Sequence, residues 1–419
     1  MKLLVIGAGM MGSAAAYDMA QSEAVESVTL ADADKKRARD AASRVNKRAH
    51  TDKVRAVELD ASKEKAAAKR MKGHDAALSA VPYFFNLGLA RAAVEARCHF
   101  ADLGGNNTVV QEEFKLDKKA AKRGVAIAPD CGLSPGMASI LAGELMRRLG
   151  DEAEALKIYV GGLPQDPKPP FSYQLMFSVE GLINEYAEPA KILRNGKIVT
   201  VEPLTEPEVF RLPEFPALEA FHTSGGTSTL PETFRGKVGE CFEKTLRYRG
   251  HLAMVRSLYD LGLFSGEKKK VGKLEVVPRE LTARLLEEHF AGSDPDVTIL
   301  RVEAHEKRPG GWRALITEKR PARVLSFTML DRYDPRTEMT AMMRTTAWPA
   351  SIIVQMLASG EIARRGALRQ EVDVPAEAFL RAMAQRVSTP SSTRMPPPNS
   401  AAADKYAIQA GKPMPETMD

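Results

Sequence analysis

Cysteine is scarce in this chain: Cys98, Cys131 and Cys241 are the whole set in 419 residues. An odd, widely separated trio builds no disulfide framework, and none of the spacings is that of a metal site. Long apolar runs are missing too. With no stretch of about 18 apolar residues, no bilayer-spanning helix is expected. The N-terminus enters an apolar strand at once, without a basic stretch leading into a long apolar one, which gives no leader signal and points to a soluble, cytoplasmic protein. Clustered basic charge is lacking as well. The net charge is +6, yet Lys and Arg are interspersed with acids apart from short runs such as Lys268-Lys269-Lys270. That distribution reads as a solvated surface and not as a nucleic-acid stripe. No internal repeat is visible.

What is present is a regular alternation over the first 130 residues. Short apolar runs at 3–6, 28–31, 54–59, 76–81, 99–103 and 125–128 are separated by Ala-, Lys- and Arg-rich helical stretches at 34–50, 61–71 and 111–122. Such alternation predicts an α/β domain, a doubly wound parallel sheet of the Rossmann type. After residue 130 the texture changes. A helix at 136–149 leads to a strand at 155–160, Pro-rich connections at 164–170 and 203–216, and longer alternating strands at 297–305, 313–318 and 324–331. Gly310-Gly311 sits between the first two of these strands as a hairpin turn would. Residues 131–345 therefore read as an α+β catalytic domain with an open, mixed, mostly antiparallel sheet. A C-terminal helix near 346–370 is placed to complete the first domain of residues 1–130. Residues 388–419, rich in Pro, Ser and Ala, read as a mobile tail or a partner-docking arm.

The first strand runs into Gly7-Ala8-Gly9-Met10-Met11-Gly12. The first glycine permits the turn, the second lets a pyrophosphate approach the backbone, and the third lets helix and strand pack closely. Phosphate then sits on free N–H groups at the positive end of the helix. Asp32, twenty residues beyond Gly12, closes the second strand. A carboxylate there accepts hydrogen bonds from ribose hydroxyls and repels a 2′-phosphate, which favours NAD over NADP. Lys35, Lys36 and Arg37 pull the other way, since a nearby cation can neutralise that phosphate. Asp60 is placed to reach the adenine edge. Ala80, Val81 and Pro82, at the end of the fourth strand, are placed beside the nicotinamide ribose.

Three further segments carry a resemblance. Ser79-Ala80-Val81-Pro82-Tyr83, Asp130-Cys131-Gly132-Leu133-Ser134-Pro135-Gly136 and Gly161-Gly162-Leu163-Pro164 resemble the saccharopine dehydrogenase family over about residues 1–370. Within it the likeness is to lysine 6-dehydrogenases, carried by 177–181, 184–186, the run Thr223-Ser224-Gly225-Gly226-Thr227-Ser228 and the run Thr245-Leu246-Arg247-Tyr248-Arg249-Gly250-His251. Saccharopine reductases share the Leu-Arg-Tyr core. They usually carry Asp where this chain has Ser134 and a bulky apolar residue where it has His251, and they lack the 223–228 run.

The resemblance implies NAD-dependent oxidative deamination of the ε-amino group of L-lysine to 2-aminoadipate semialdehyde. Saccharopine-type or carboxyspermidine-type oxidation of a secondary amine, and a non-catalytic NAD-binding sensor, are the alternatives. An amine substrate calls for a base, a cation for its carboxylate and an apolar wall around the nicotinamide. Asp102, Asp130, Cys131 and His251 are the catalytic candidates. Arg247 is the carboxylate clamp, and Tyr248, Glu180, Thr227 and His222 are the other substrate-binding candidates. A homodimer through the second sheet is expected, because an open sheet needs its outer face covered.

Overall fold

The computed structural model describes residues 1–213, 215–292, 294–307 and 322–387, with residue 387 described by its backbone alone. The turn and strand expected at 310–318 and the tail at 388–419 lie outside the described residues.

Six strands alternate with helices through the first part of the chain. They are β1 (Lys2–Ile6), β2 (Ser27–Asp32), β3 (Val54–Glu58), β4 (Ala76–Ser79), β5 (His99–Asp102) and β6 (Ala126–Ala128). All pair in parallel, in the order β3-β2-β1-β4-β5-β6. Helices cover both faces, so the central strands must be apolar throughout: Leu3, Leu4, Val5 and Ile6 of β1 are all buried. The helical stretch expected at 111–122 is two helices, Asn107–Phe114 and Asp117–Lys122. The first begins early because Asn106 caps it, its side chain accepting from the Thr108 and Val109 N–H groups at 3.0 and 3.2 Å.

Beyond β6, the helix Met137–Leu149 leads into the long strand β7 (Ala153–Pro164). Then come a hairpin of β8 (Ala190–Arg194) and β9 (Lys197–Val201), the strands β10 (Glu208–Phe210), β11 (Leu218–His222) and β12 (Val238–Tyr248), and a separate small hairpin of β13 (Lys269–Val271) and β14 (Leu274–Val276). β15 (Asp296–His305) and β16 (Val324–Arg332) finish the second sheet, whose order is β10-β11-β12-β7-β15-β16 with β8–β9 attached to β12. The β12–β7 pairing is the one parallel contact in an otherwise antiparallel path. Three helices here, Val179–Ala187, His251–Asp260 and Pro278–Phe290, were not anticipated from sequence. They share a small core of Tyr173, Ile183, Tyr186, Val255 and Phe264 that roofs one end of the sheet.

The helix Ala341–Ser359 then returns to the first sheet and packs on the helix Met10–Gln21 and on β4 and β5. It begins five residues before the expected start, with the Thr340 hydroxyl accepting from the Met343 N–H at 3.1 Å. A two-residue strand, β17 (Gly366–Ala367), adds in parallel to the outer edge of β6. Asp296 ties the two sheets together: its carboxylate accepts from the N–H groups of Ala341 and Met342, at 2.6 and 2.9 Å. Among the described residues no helix is long and apolar enough to cross a membrane.

Candidate active site

The glycine turn follows β1 as anticipated, and its packing explains its composition. A Cβ on Gly12 would stand 1.8 Å from the Gly7 carbonyl oxygen, so any other residue there would push helix and strand apart. The helix Met10–Gln21 starts with no side-chain cap, which leaves its first N–H groups available to an anion. The next helix, Lys35–Ala49, contrasts with it. There the Asp34 carboxylate already occupies the N-terminus, accepting from the N–H groups of Lys36 and Arg37 at 2.8 and 3.1 Å. Asp32 stands between the two helices. One of its oxygens accepts from the Ala8 N–H and the other from the Asp34 N–H, each at 2.9 Å, and the Arg37 guanidinium lies 4.0 Å away. Asp32 thus braces the turn. These residues fit a dinucleotide: an open helix N-terminus for the pyrophosphate and a carboxylate at the end of β2. Asp60 closes β3 but is engaged locally, accepting from the Ser62 N–H and hydroxyl at 2.9 and 2.6 Å.

A cavity of about 500 Å³ opens from that turn into the space between the two sheets. Gly9, Met10 and Met11 form one end, with Ala80, Val81 and Pro82 beside them. The loop 103–107, Asp130 and the segment 132–135 supply the floor at the carboxyl ends of β5 and β6, where open α/β sheets place ligands. The far wall comes from helix Val179–Ala187, the loop 223–226 and β12. Its ionisable lining is lopsided: the carboxyl groups of Asp130, Glu180, Glu185, Glu188, Glu243 and Glu287 face a single cation, Arg247.

Side chains alternate along β12, so Glu243, Thr245 and Arg247 share one face while Lys244, Leu246 and Tyr248 point to the other. Arg247 is buried and rigidly held. Its Nε donates to the Tyr186 hydroxyl and its Nη1 to the Leu246 carbonyl, both at 2.9 Å, and its guanidinium lies over the Tyr173 ring, 5.0 Å from the centroid. Glu185 approaches Nη2 at 3.8 Å. Desolvation nonetheless outweighs that cation and pushes the Glu185 carboxyl up to about 7. Glu243 is buried between the hydroxyls of Thr223 and Thr245, each 3.3 Å away, and these two hydroxyls bond each other at 2.7 Å. Burial, with Glu185 adding to it, raises its carboxyl to about 8. Neither Glu243 nor Thr245 was anticipated. The signal was available, since they stand four and two residues before Arg247 on a strand.

Asp130 lies in the left-handed region (φ 62°), which turns its carboxyl into the cavity floor. It accepts from the Ser228 hydroxyl at 2.5 Å. On its other side a Cβ at Gly104 would come within 1.9 Å of it, so glycine is required there. Burial first, then the charge of Asp102, raises Asp130 to about 7. Asp102 itself is completely buried behind this floor. It accepts from the Gly104 N–H at 2.7 Å and the Asp130 N–H at 3.3 Å, while its other oxygen is buried beside the Glu113 carboxyl. Two carboxyls facing each other away from water cannot both ionise. Burial raises Asp102 to about 6 and, together with Asp102, drives Glu113 well above its usual range.

Of the sequence-derived candidates, Gly9, Met10, Met11, Ala80, Val81, Pro82, Asp130, Glu180 and Arg247 line the cavity; Gly7, Gly12, Asp32 and Asp60 do not, and neither do six catalytic or substrate-binding candidates. Asp102 and Cys131 sit behind the wall because they point back into the core, the thiol against the Ala128 carbonyl at 3.1 Å. His251 is buried under Tyr186. Its Nδ1 donates to the Phe171 carbonyl at 2.9 Å, which leaves Nε2 to accept from the Tyr186 hydroxyl at 3.0 Å. Burial and Arg247 hold its imidazole down at about 3, so it is neutral and fixes the tyrosine that fixes Arg247. Strand alternation turns Tyr248 to the opposite face, where its hydroxyl donates to the Pro164 carbonyl at 2.9 Å. His222 bonds the Glu243 carbonyl and Glu206, both at 3.3 Å, and Thr227 donates to the Lys191 carbonyl at 2.8 Å. Their neighbours Thr223 and Gly226 line the cavity instead. The described residues contain no group of ligands that could hold a metal ion.

Comparison with known proteins agrees with this layout. Residues 3–128 match the family model of the saccharopine dehydrogenase NADP binding domain, and residues 132–388 that of the saccharopine dehydrogenase C-terminal domain. A saccharopine dehydrogenase (NADP+, L-glutamate-forming) of Pyricularia oryzae is 24% identical, over 58% of this chain and 55% of its own length. The alpha-aminoadipic semialdehyde synthase of Arabidopsis thaliana is 28% identical, over 52% of this chain and 21% of its own. The chain thus spans about half the length of the fungal relative and about a fifth of the plant one. Among solved structures, apo saccharopine dehydrogenase (L-Glu forming) from Saccharomyces cerevisiae superposes with a TM-score of 0.73 at 16% identity, covering 92% of this chain and 97% of that one.

Proposed function

Since the chain belongs to the saccharopine dehydrogenase family, we propose that it is an NAD-dependent oxidoreductase that deaminates the ε-carbon of L-lysine. L-lysine, NAD+ and water give 2-aminoadipate semialdehyde, ammonium, NADH and a proton. The observation that carries this reading is the carboxyl-rich lining of the cavity, six carboxyl groups against one guanidinium, three of the six held up near neutrality and so ready to ionise beside an entering cation. Lysine brings two ammonium groups and one carboxylate, which suits that balance. Saccharopine brings three carboxylates, and among the described lining residues Arg247 is the one cation to meet them.

The dinucleotide supplies the acceptor for the hydride that leaves the carbon bearing nitrogen. The chain's own residues do the rest. Arg247, its plane fixed by Tyr186 and Leu246, holds the substrate carboxylate with its remaining N–H groups. Asp130, poised near neutrality, takes the proton from the reacting ammonium and then from the water that hydrolyses the imine. Ser228 keeps that carboxyl oriented. A carboxylate at the end of β2, Asp32, with Asp34 two residues on, supports NAD, because negative charge there repels a 2′-phosphate. A homodimer belongs to the reading. Exposed Leu261, Leu274 and Leu281, on and around the β13–β14 hairpin, would support one better than the second sheet does, where Tyr159, Phe210 and Leu218 are already covered.

The names of the relatives support a second reading, oxidation of saccharopine. One assay separates the two: NADH formation from L-lysine alone, with no keto acid, against formation from saccharopine. Reduced dinucleotide appearing only with saccharopine would refute the lysine reading.

A further inference from the structure

We propose that Glu185, Arg247 and Glu243 together form a receptor for the zwitterionic head of an α-amino acid, with Glu243 accepting the α-ammonium. The cavity would then select diamino acids over amino acids or diamines that lack one of the two head charges. The inference rests on the lysine reading and narrows it.

The argument begins with an imbalance. Two carboxyls and one guanidinium line the same wall of the cavity, and part of the guanidinium is already engaged. It donates to Tyr186 and Leu246 and pairs with Glu185 at 3.8 Å. Glu243 has no ion-pair partner among the described residues and is only 3% exposed. It is held instead by Thr223 and Thr245. The loop backbone is pressed against it, since a Cβ on Gly226 would stand 2.5 Å from its Oε2. A buried carboxyl without a cation is costly in its charged form, and a group of this kind is kept at a site because something charged arrives there. An entering head group supplies both missing partners, a carboxylate for Arg247 and an ammonium for Glu243. On arrival of the ammonium Glu243 ionises, because a cation at contact distance outweighs the burial that holds it up at about 8. The charged groups that bear on it are Glu185, from helix Val179–Ala187, and Arg247, from its own strand. Lys244 projects from the opposite face.

The test compares three compounds: L-lysine, 6-aminohexanoate (no α-ammonium) and 1,5-diaminopentane (no carboxylate). Binding to the NADH-loaded protein is measured by calorimetry, and turnover with NAD is measured alongside, for the wild type and Glu243→Gln. The amide keeps the size of the side chain and its contacts with the two threonines, and an unchanged affinity for NADH shows that the fold is intact. The wild type is expected to bind lysine on the order of 10- to 100-fold more tightly than 6-aminohexanoate, the worth of one charge-assisted hydrogen bond. E243Q should shrink that ratio to about threefold or less while leaving 6-aminohexanoate affinity nearly as it was. It should also lower the number of protons released on lysine binding near pH 7, read from the dependence of the enthalpy on buffer. A wild type that binds both acids equally, or an E243Q protein with an unchanged ratio, overturns the inference. A protein that binds lysine in this Glu243-dependent way yet produces no NADH from it keeps the receptor and loses the lysine reaction.

Discussion

Asp32 offers the sharpest test of the cofactor, because the family model is named for NADP whereas the local geometry argues for NAD. Consider Asp32→Asn. Two unit charges about 4 Å apart interact by about 1 kcal/mol in water and about 4 kcal/mol at an effective dielectric of 20. A phosphate monoester carries roughly 1.5 to 2 negative charges near neutrality. The Asp32 side chain is 11% exposed and the Arg37 guanidinium, 61% exposed, screens it from 4.0 Å. The lower half of the range therefore applies, about 2–3 kcal/mol against NADP, which is on the order of 30- to 150-fold in kcat/KM. Removing the charge should bring the NAD-to-NADP ratio to within about tenfold, since Asp34 still stands at the adjoining helix N-terminus. The amide also has only one acceptor for the two N–H groups, Ala8 and Asp34, that the carboxylate now satisfies. A loss of roughly 1–2 kcal/mol in stability should accompany the change and appear as a lower melting temperature. The assay is initial rate against each dinucleotide at fixed lysine. A wild type that prefers NADP, or a variant whose ratio does not move, would show that the carboxylate is not what the ribose meets.

Three further outcomes follow from the site. Arg247→Met should raise the KM for lysine by roughly 10²- to 10³-fold while NADH binding stays constant. Arg247→Lys should recover only part of the loss, because a point charge cannot replace a bidentate fork. With Asp130 raised to about 7, kcat/KM should climb with pH up to about that value, as the carboxyl loses its proton and becomes a competent base. Asp130→Asn should remove that limb along with most of the rate, and a limb that persisted would assign the base elsewhere. Folding stability should move in the opposite sense. Asp102 and Asp130 bind protons more tightly folded than unfolded, so their contribution is complete below about pH 4 and is lost as pH rises through about 6 to 7. Asp102→Asn should flatten that decline, measured as the melting temperature at pH 5 and pH 8. A wild type equally stable at both would contradict the buried-carboxyl reading.

The parts of this molecule that were legible in the sequence are those where one physical requirement dominates. A glycine at which a Cβ would stand 1.8 Å from a carbonyl oxygen leaves no alternative residue, and a parallel strand buried on both faces must be apolar throughout. The doubly wound parallel sheet follows from such requirements. Arg247 was singled out by the resemblance carried in the run 245–251, since its own surroundings, with Lys244 and Arg249, read equally as a charged surface. Direction was harder to read. Tyr248, His222 and Thr227 stand beside true lining residues, and one step along a strand or around a loop carried each of them out of the cavity. Asp102 shows the same limit in depth. Sequence places it correctly at the end of β5 but does not say whether its carboxyl turns toward the cavity or back into the core.

His251 shows what the chain can hide even when a residue is correctly singled out. Its motif suggested chemistry, yet both ring nitrogens are spent, one on the Phe171 carbonyl and one on the Tyr186 hydroxyl. The direction of those bonds is forced. A carbonyl only accepts, so Nδ1 carries the proton and Nε2 must receive one from Tyr186, whose oxygen is then free to accept from Arg247 at 2.9 Å. The histidine therefore acts two bonds away from the cavity, by deciding where a guanidinium points. A protonated imidazole would break that chain, and burial beside Arg247 is what prevents it. The same residues that make His251 useless as a base make it useful as a brace. That distinction lives in hydrogen-bond direction, which no spacing along a sequence encodes.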